Sequence, residues 1–227
     1  MDLRKFATRL ALVLACAAPA AYAQLQPVGP KDVLVFSRAE NPKAGPARDI
    51  FAWPTGTAYT VAITRKAGNQ MVLAAGGKFQ LFDPFTFSLA DIPSAEAPNT
   101  AWPVEIETDR TTREYPTGQR WGIVVKWPYT APNGACSNTM RHEIVSRSDG
   151  VLPVTLNRGE LVDRAALSVS QQGRFNNNCG GNGAFRRVIH YSRELQVPTL
   201  IESVTVTPAG APISGYQMVL REVRRAP

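Results

Sequence analysis

The sequence reads YTVAIT at Tyr59–Thr64, QMVLA at Gln70–Ala74 and KFQLF at Lys78–Phe82. These runs are rich in β-branched and aromatic residues, which favour strands. The intervening Lys66–Asn69 and Ala75–Gly77 contain glycine, which accepts the positive φ of a hairpin turn. Three such runs in succession predict an antiparallel meander, and this stretch sets the fold class.

Similar short runs continue along the chain, and the 18 Pro and 17 Gly leave few stretches for a long helix. Strands are predicted at Asp32–Phe36, Val104–Thr108, Trp121–Trp127, Met140–Arg147, Val151–Leu156, Phe185–Tyr191, Ile201–Thr207 and Tyr216–Val223. Leu161–Val169 fits both a helical and a strand periodicity. We therefore expect one all-β domain over 31–227 with little helix, either an antiparallel β-sandwich or a partly open barrel. A subdomain boundary near 94–100 is the alternative.

The first 23 residues predict export. A basic start and a short apolar run lead to Ala21–Ala23, the small-x-small pattern of a signal-peptide cleavage site. The apolar run is much shorter than the ~20 residues of a membrane-spanning helix. We expect a mature protein that begins at Gln24, with a flexible segment at 24–30, in the periplasm or outside the cell. The alternative is a bacterial lipoprotein acylated at Cys16.

One pattern occurs twice, at 53–63 and at 115–125. Each copy has an aromatic residue, Pro-Thr-Gly, two further residues, a second aromatic residue and an apolar run. Because Pro fixes φ and Gly accepts positive φ, both copies predict the same turn before a strand. Duplication, two similar sheets and coincidence all remain open.

The formal net charge of +7 falls to +5 when residues 1–23 are removed, and all 11 basic residues after Cys136 are Arg. Arg174, Arg186 and Arg187 are candidate binding residues, because a guanidinium binds carboxylate or phosphate through two hydrogen bonds. The same group includes Arg193, Arg221, Arg224 and Arg225. Strand alternation predicts that Arg186 and Arg187 lie on opposite faces. The alternative is a surface that only keeps the protein soluble.

The two cysteines that remain after cleavage, Cys136 and Cys179, lie in sequences rich in Asn and Gly. An even pair in an oxidising compartment predicts one disulfide. The alternative is a reactive Cys136 thiolate with His142 as its base. The alternation of His142 with Met140 and Ile144 instead favours a buried histidine of the core.

Glu105, Glu107 and Asp109 alternate with apolar residues and would share one strand face. Carboxylates two residues apart on a strand lie ~7 Å from each other. Glu105 and Glu107 are therefore candidates for glycoside hydrolysis, and the group is a candidate for Ca²⁺ binding. A solvated face paired with Arg is the favoured interpretation.

Four tryptophans are candidates for a sugar-binding surface, and Trp102 and Trp127 each precede a proline at a predicted strand end. An indole ring there can cover the apolar face of a sugar. Ordinary packing in the core is the favoured alternative.

No catalytic, metal, cofactor or nucleic-acid motif is present, and no basic run is interleaved with aromatic residues. The sequence favours an exported non-enzymatic protein that binds an anionic envelope component or a partner protein. The alternatives are an exported enzyme using Glu105 and Glu107, or Cys136 and His142, and a carbohydrate-binding module. The oligomeric state is not determined by the sequence.

Overall fold

The computed structural model describes residues 26–39, 58–67, 70–75, 78–92, 104–131, 133–156, 161–207 and 209–227. All regular secondary structure in these ranges is β-strand. The strands are β1 (Val33–Ala39), β2 (Ala58–Ala67), β3 (Gln70–Ala75), β4 (Lys78–Asp83), β5 (Ser88–Ile92), β6 (Glu105–Thr108), β7 (Arg120–Thr130), β8 (Ser137–Leu156), β9 (Leu161–Asn176), β10 (Asn182–Ser192), β11 (Val197–Val206) and β12 (Pro212–Arg224).

The twelve strands form one antiparallel sheet in the order β5-β4-β3-β2-β1-β12-β11-β10-β9-β8-β7-β6. β1 pairs with β12, so strands from the two ends of the chain are neighbours. The sheet curls into a half-barrel, and its edge strand β5 packs against β7 near the other edge. The prediction of an all-β fold is confirmed, in the form of a partly open barrel.

Strand alternation divides the sheet into a concave face, which lines the core, and a convex face. On β7, Trp121, Ile123, Val125 and Trp127 are buried and alternate with more exposed residues. The concave residues of the other strands join them in one hydrophobic cluster. Burial of this apolar surface is the main force that curls the sheet.

The observed strands refine the sequence prediction at three places. Leu161–Val169 belongs to a strand, β9, and the runs Met140–Arg147 and Val151–Leu156 are parts of one strand, β8. Gly150, with φ of 101°, lies at a register shift between those two runs. The sequence did not predict β5, because SLADI is short and contains Asp91; its packing against β7 stabilises it.

The turn between β4 and β5 reaches into the concave face. Phe87 is fully buried there, with its ring centroid 5.4 Å from that of Tyr191 and 6.3 Å from that of Trp121. The Arg110 guanidinium donates to the Phe85 carbonyl and lies 3.7 Å from the Tyr115 ring centroid. Arg110 thereby fixes the turn, and the φ of 62° at Phe87 is held by this packing.

Phenylalanine rings cover two glycines of the neighbouring strands. The ring of Phe185 lies over Gly173, and the ring of Phe175 lies over Gly183. A Cβ atom at either glycine would clash with the ring. These positions therefore require glycine because of close packing.

The described part of the 24–30 segment is anchored. Val28 is buried, and its N–H donates to the Leu195 carbonyl at 2.9 Å. Arg225 bonds the carbonyl of Pro27 and lies 2.9 Å from Asp32. Burial alone would raise the pKa of Asp32, but hydrogen bonds from Gly29, Ala226 and Arg225 outweigh it and lower that pKa.

Several predictions fall on residues outside the described ranges. These are the leader at 1–23, the start of the mature chain at Gln24, the boundary near 94–100, Trp102, and the first residues of the repeat copy at 53–63. They stay predictions. Within the described ranges, no helix is long and apolar enough to cross a membrane.

Candidate functional site

One row of side chains crosses the concave face over six neighbouring strands. The pairing registers place one residue of each strand in it, from Trp121 on β7 to Tyr216 on β12. The row consists of Trp121, Ser146, Gln171, Arg187, Ser203 and Tyr216. Its four central members are polar, on a face that is otherwise mostly apolar.

Gln171 lies at the centre of this row and is 1% exposed. Its amide Nε2 donates to Ser146 Oγ at 3.1 Å and to the Phe87 carbonyl at 3.3 Å. Those two bonds direct Oε1 towards Arg187, whose Nη1 donates to it at 3.5 Å. Gln171 therefore connects the β4–β5 turn with the guanidinium.

Two residues of the row have a buried nitrogen without a hydrogen-bond acceptor, Trp121 at Nε1 and Arg187 at Nε, and of these Arg187 carries the charge. No carboxylate among the described residues lies within ion-pair distance of Arg187, although part of the residue remains accessible to solvent. Burial lowers the pKa of Arg187, and Tyr216 and Asp91 act in the opposite direction. A guanidinium remains charged even so, and a buried cation without a counter-ion is unfavourable.

One aromatic ring lies beside Arg187, and a small cavity lies further along the row. The Arg187 guanidinium carbon lies 4.8 Å from the Phe185 ring centroid. Tyr216, two strands away in the row, lines a cavity of about 20 Å³ together with Gln80 and apolar residues such as Leu89. This volume holds about one water molecule.

His142 lies beside this group in an aromatic environment. Its ring centroid is 4.6 Å from Trp127, 5.3 Å from Phe185 and 6.0 Å from Phe175. Burial, with a smaller contribution from Arg187, lowers its pKa to about 3. The sequence predicted a buried, hydrogen-bonded histidine of the core; His142 packs among core rings and is neutral at physiological pH, but its Nδ1 has no hydrogen-bond partner.

Cys136 and Cys179 form the predicted disulfide, with 5.9 Å between their Cα atoms. The bond joins the β7–β8 connection to the β9–β10 connection. It leaves Cys136 without the free thiol that the Cys–His alternative requires, so that alternative is wrong for this structure.

Glu105 and Glu107 lie on the exposed face of β6 and share one partner. Lys126 Nζ is 3.2 Å from Glu105 and 2.7 Å from Glu107, and this contact lowers the pKa of Glu107. Asp109 accepts a hydrogen bond from the Gly122 N–H at 2.7 Å. This is the solvated, ion-paired face that the sequence favoured, but its partner is Lys126 and not an arginine. The described residues contain no group of three or more acids, His or Cys that could hold a metal ion.

The candidate arginines do not converge on one surface. Arg174 and Arg186 are exposed on neighbouring strands of the convex face, whereas Arg187 lies on the concave face. The remaining ones have other contacts: Arg221 with Ser37, Arg224 with Glu222, and Arg225 with Asp32. The predicted separation of Arg186 and Arg187 onto opposite faces is confirmed.

Trp127 is 5% exposed and packs against His142, so it has no ring face open to a sugar. Among the described residues the convex face carries few large exposed apolar side chains, of which Val145 is 52% exposed. The carbohydrate-binding alternative has no support from the two tryptophans that the structure describes, because Trp121 is also buried, at 3% exposure.

Gln171 and Tyr216 are site residues that sequence reasoning did not select. Gln171 alternates with Val169, Gly173 and Phe175, so a polar residue falls in an otherwise apolar set. This break in the apolar pattern of β9, which Asp163 repeats on the same face, is the available signal.

No protein-family model matches the chain, and no curated protein matches its sequence. Two solved structures are similar to it at 10% identity. One is the hypothetical lipoprotein YmcC from Escherichia coli K12, with 88% of this chain and 86% of that chain covered and a TM-score of 0.42. The other is a candidate lipoprotein from Parabacteroides distasonis, with 88% and 98% covered and a TM-score of 0.39. Because both TM-scores are below 0.5, no function is transferred from either protein.

Proposed function

We propose that this chain is an exported, non-enzymatic binding protein that recognises an anionic group on the concave face of its half-barrel. The observation that supports this is the guanidinium of Arg187, which is partly buried, has an unbonded Nε and lacks a described carboxylate partner. Buried polar groups in proteins are almost always satisfied. A bound anion would supply both the missing counter-charge and the missing acceptor.

The other candidate residues from the sequence support binding better than catalysis. His142 is neutral and enclosed by rings, Cys136 is oxidised, and Glu105 and Glu107 are ion-paired on the outer face. Arg187 is a fixed cation that can hold an anion, whereas His142, with its pKa lowered to about 3, is a poor base for the serine hydroxyls of the row. The convex arginines Arg174 and Arg186 are exposed to water, which makes their contribution to affinity small.

The first test replaces Arg186 and Arg187 one at a time and measures anion binding by each variant. Acetate and inorganic phosphate, at constant ionic strength, serve as probes in thermal unfolding of the exported protein. A ligand at ten times its Kd stabilises the native state by about 1.4 kcal/mol, which corresponds to about 3–6 °C for a domain of this size. We expect this shift in the wild type and in Arg186→Met, and no shift in Arg187→Met.

The second test introduces a carboxylate beside each arginine. The register places Gln171 opposite Arg187 and Gln172 opposite Arg186. Gln171→Glu supplies an internal counter-ion to Arg187, so it should remove anion binding, whereas Gln172→Glu makes the same charge change on the convex face and should preserve it. Equal binding by both variants, together with binding by Arg187→Met, would exclude Arg187 as the anion site.

A further inference from the structure

We propose that Asn133 is a site of spontaneous deamidation, in which its side-chain amide becomes a carboxylate, and that the fold protects Asn182 from the same reaction. The chain contains the triplet Asn-Gly-Ala twice, beginning at these two residues. Both asparagines are exposed to solvent. Glycine favours the reaction because it has no Cβ atom to hinder attack by its nitrogen on the preceding side chain. The two sites are matched in sequence, so a difference between them comes from the structure.

The reaction needs only the chain and water. The main-chain nitrogen of Gly134 attacks Cγ of Asn133, and the new C–N bond closes a succinimide ring. The Cγ–Nδ2 bond breaks, and Nδ2 leaves as ammonia with the proton that the Gly134 nitrogen gives up. Water then opens the ring at either carbonyl carbon. The product is aspartate, or isoaspartate in which the main chain runs through Cβ and Cγ, and each carries a new carboxylate.

The β7–β8 connection holds the side chain of Asn133 in a geometry that suits this attack. Its Oδ1 accepts a hydrogen bond from the Ala135 N–H at 3.1 Å. This bond closes an Asx turn, a small ring that contains both Cγ and the Gly134 nitrogen. The bond also polarises the side-chain carbonyl, which makes Cγ more electrophilic. The turn therefore keeps the two reacting atoms close together and activates the one that is attacked.

Gly134 has room for the rotation that ring closure requires. Its φ is 70°, and a Cβ atom at this position would meet no described residue beyond its chain neighbours within 4 Å. Its N–H donates to the Ala131 carbonyl at 2.8 Å, and this bond must open before the nitrogen attacks. Opening at an exposed turn costs little free energy. We therefore expect a rate that is measurable in the folded protein but lower than in the unfolded chain.

Asn182 lies in a setting that opposes the reaction. It belongs to β10 and pairs with Asn176 of β9, while Gly183 pairs with Phe175. The ring of Phe175 lies so close over Gly183 that a Cβ atom there would be 2.6 Å from it. Ring closure would require the extended backbone to rotate, against the hydrogen bonds of the ladder and against this packing. The sheet therefore protects the second triplet.

Deamidation at Asn133 changes the charge of one end of the sheet. The connections 131–136, 177–181 and 207–211 lie at this end, and none of them contains Asp, Glu, Lys, Arg or His. A carboxylate at position 133 would be the first charge in these connections. Because the loss of ammonia is not reversed by the protein, the converted fraction increases with the age of the molecule.

Incubation of the folded protein at mildly alkaline pH, followed by peptide mapping with mass spectrometry, tests the proposal. We expect Asn133 to be converted at least about ten-fold faster than Asn182, which requires only a modest difference in the free energy of local opening. Ion-exchange chromatography should show an acidic form that accumulates with time. Asn133→Ser should abolish that form, and Asn182→Ser, the matched control, should leave it unchanged.

The reduced, denatured protein supplies the reference rates. Without the fold the two triplets are equivalent, so we expect Asn133 and Asn182 to react there at similar rates. If Asn182 reacts as fast as Asn133 in the folded protein, the protection by the sheet is wrong. If Asn133 stays intact in the folded protein while it reacts in the denatured one, the modification site itself is wrong.

Discussion

Arg186 and Arg187 are adjacent in the chain, but they lie in different environments. Arg186 is exposed on the convex face opposite Gln172, whereas Arg187 lies on the concave face opposite Gln171, next to Phe185. The two residues have the same chemistry and the same backbone strand. Only the direction of the side chain differs, because successive residues of a strand point to opposite faces.

The energetic consequence of this difference is large. A charge on the convex face is hydrated, and salt at physiological ionic strength screens its interactions beyond about 8 Å. A charge on the concave face lies among apolar groups, where electrostatic interactions are stronger and an unsatisfied donor is costly. The comparison teaches that a count of arginines does not locate a binding site. The site is located by the sheet face to which an arginine points and by whether that arginine has a counter-ion.

The largest expected difference between the faces concerns apolar packing. Phe87 is fully buried at the centre of the concave cluster, and Val145 is 52% exposed on the convex face. Phe87→Ala should reduce the free energy of unfolding by about 3–5 kcal/mol, and Val145→Ala should change it by less than about 0.5 kcal/mol. Urea denaturation measures both. A loss below 1 kcal/mol for Phe87→Ala would show that the β4–β5 turn does not contribute to the core.

The second difference concerns the two histidines, His142 on the concave face and His190 on the convex face. His142 protonates near pH 6.5 in the unfolded chain but only at about 3 in the fold, so the unfolded state binds more protons between these values. Stability therefore falls as pH decreases from 6.5 towards 3, by about 1.4 kcal/mol per pH unit. At pH 4.5 the expected loss from His142 is about 3 kcal/mol.

His142→Phe should remove this part of the pH dependence, because a phenyl ring fits among Trp127, Phe175 and Phe185 and the unbonded Nδ1 makes no hydrogen bond that would be lost. His190→Gln is the control, since burial lowers the pKa of His190 against the opposing effects of Glu202 and Asp149. Unfolding curves between pH 7 and pH 4.5 measure the slopes. Equal slopes for the wild type and His142→Phe would contradict the buried, neutral histidine.

The smallest expected effect is also the one most specific to the site. In the absence of ligand, Arg187→Met should stabilise the protein by about 1 kcal/mol, because an apolar side chain replaces a cation without a counter-ion. Arg186→Met should be neutral within about 0.5 kcal/mol. Thermal and urea unfolding of each variant measure these changes in stability. Marked destabilisation by Arg187→Met would mean that the arginine is a structural residue and already satisfied.

Much of the fold could be predicted from alternation and turn residues. Tyr216, Met218 and Leu220 share a face in the sequence pattern and are buried together in β12. The disulfide followed from the number and context of the cysteines. β5 pairs with its sequence neighbour β4, but its short sequence could not be predicted as a strand because it also depends on contact with β7, which is distant in sequence.

The site itself was only partly predictable. Arg187 was among the candidates, but it was grouped with Arg174 and Arg221, which the fold places on other surfaces. Gln171 was not selected, since nothing in its local sequence indicates that it lies opposite Arg187. A cross-strand row is a property of the register, and register depends on the pairing of strands that are far apart in the chain.

The sequence by itself determined that the chain is all-β, that Arg186 and Arg187 face opposite sides, and that Cys136 and Cys179 pair. These properties depend on the period of two along a strand, on local turn chemistry and on the count of cysteines. Only the tertiary structure decided that the sheet curls into a half-barrel. It also decided that Arg187, of the two adjacent arginines, lies on the concave face without a counter-ion. The physical reason is that curvature, burial and charge partners arise from contacts between strands distant in sequence, which no local pattern encodes.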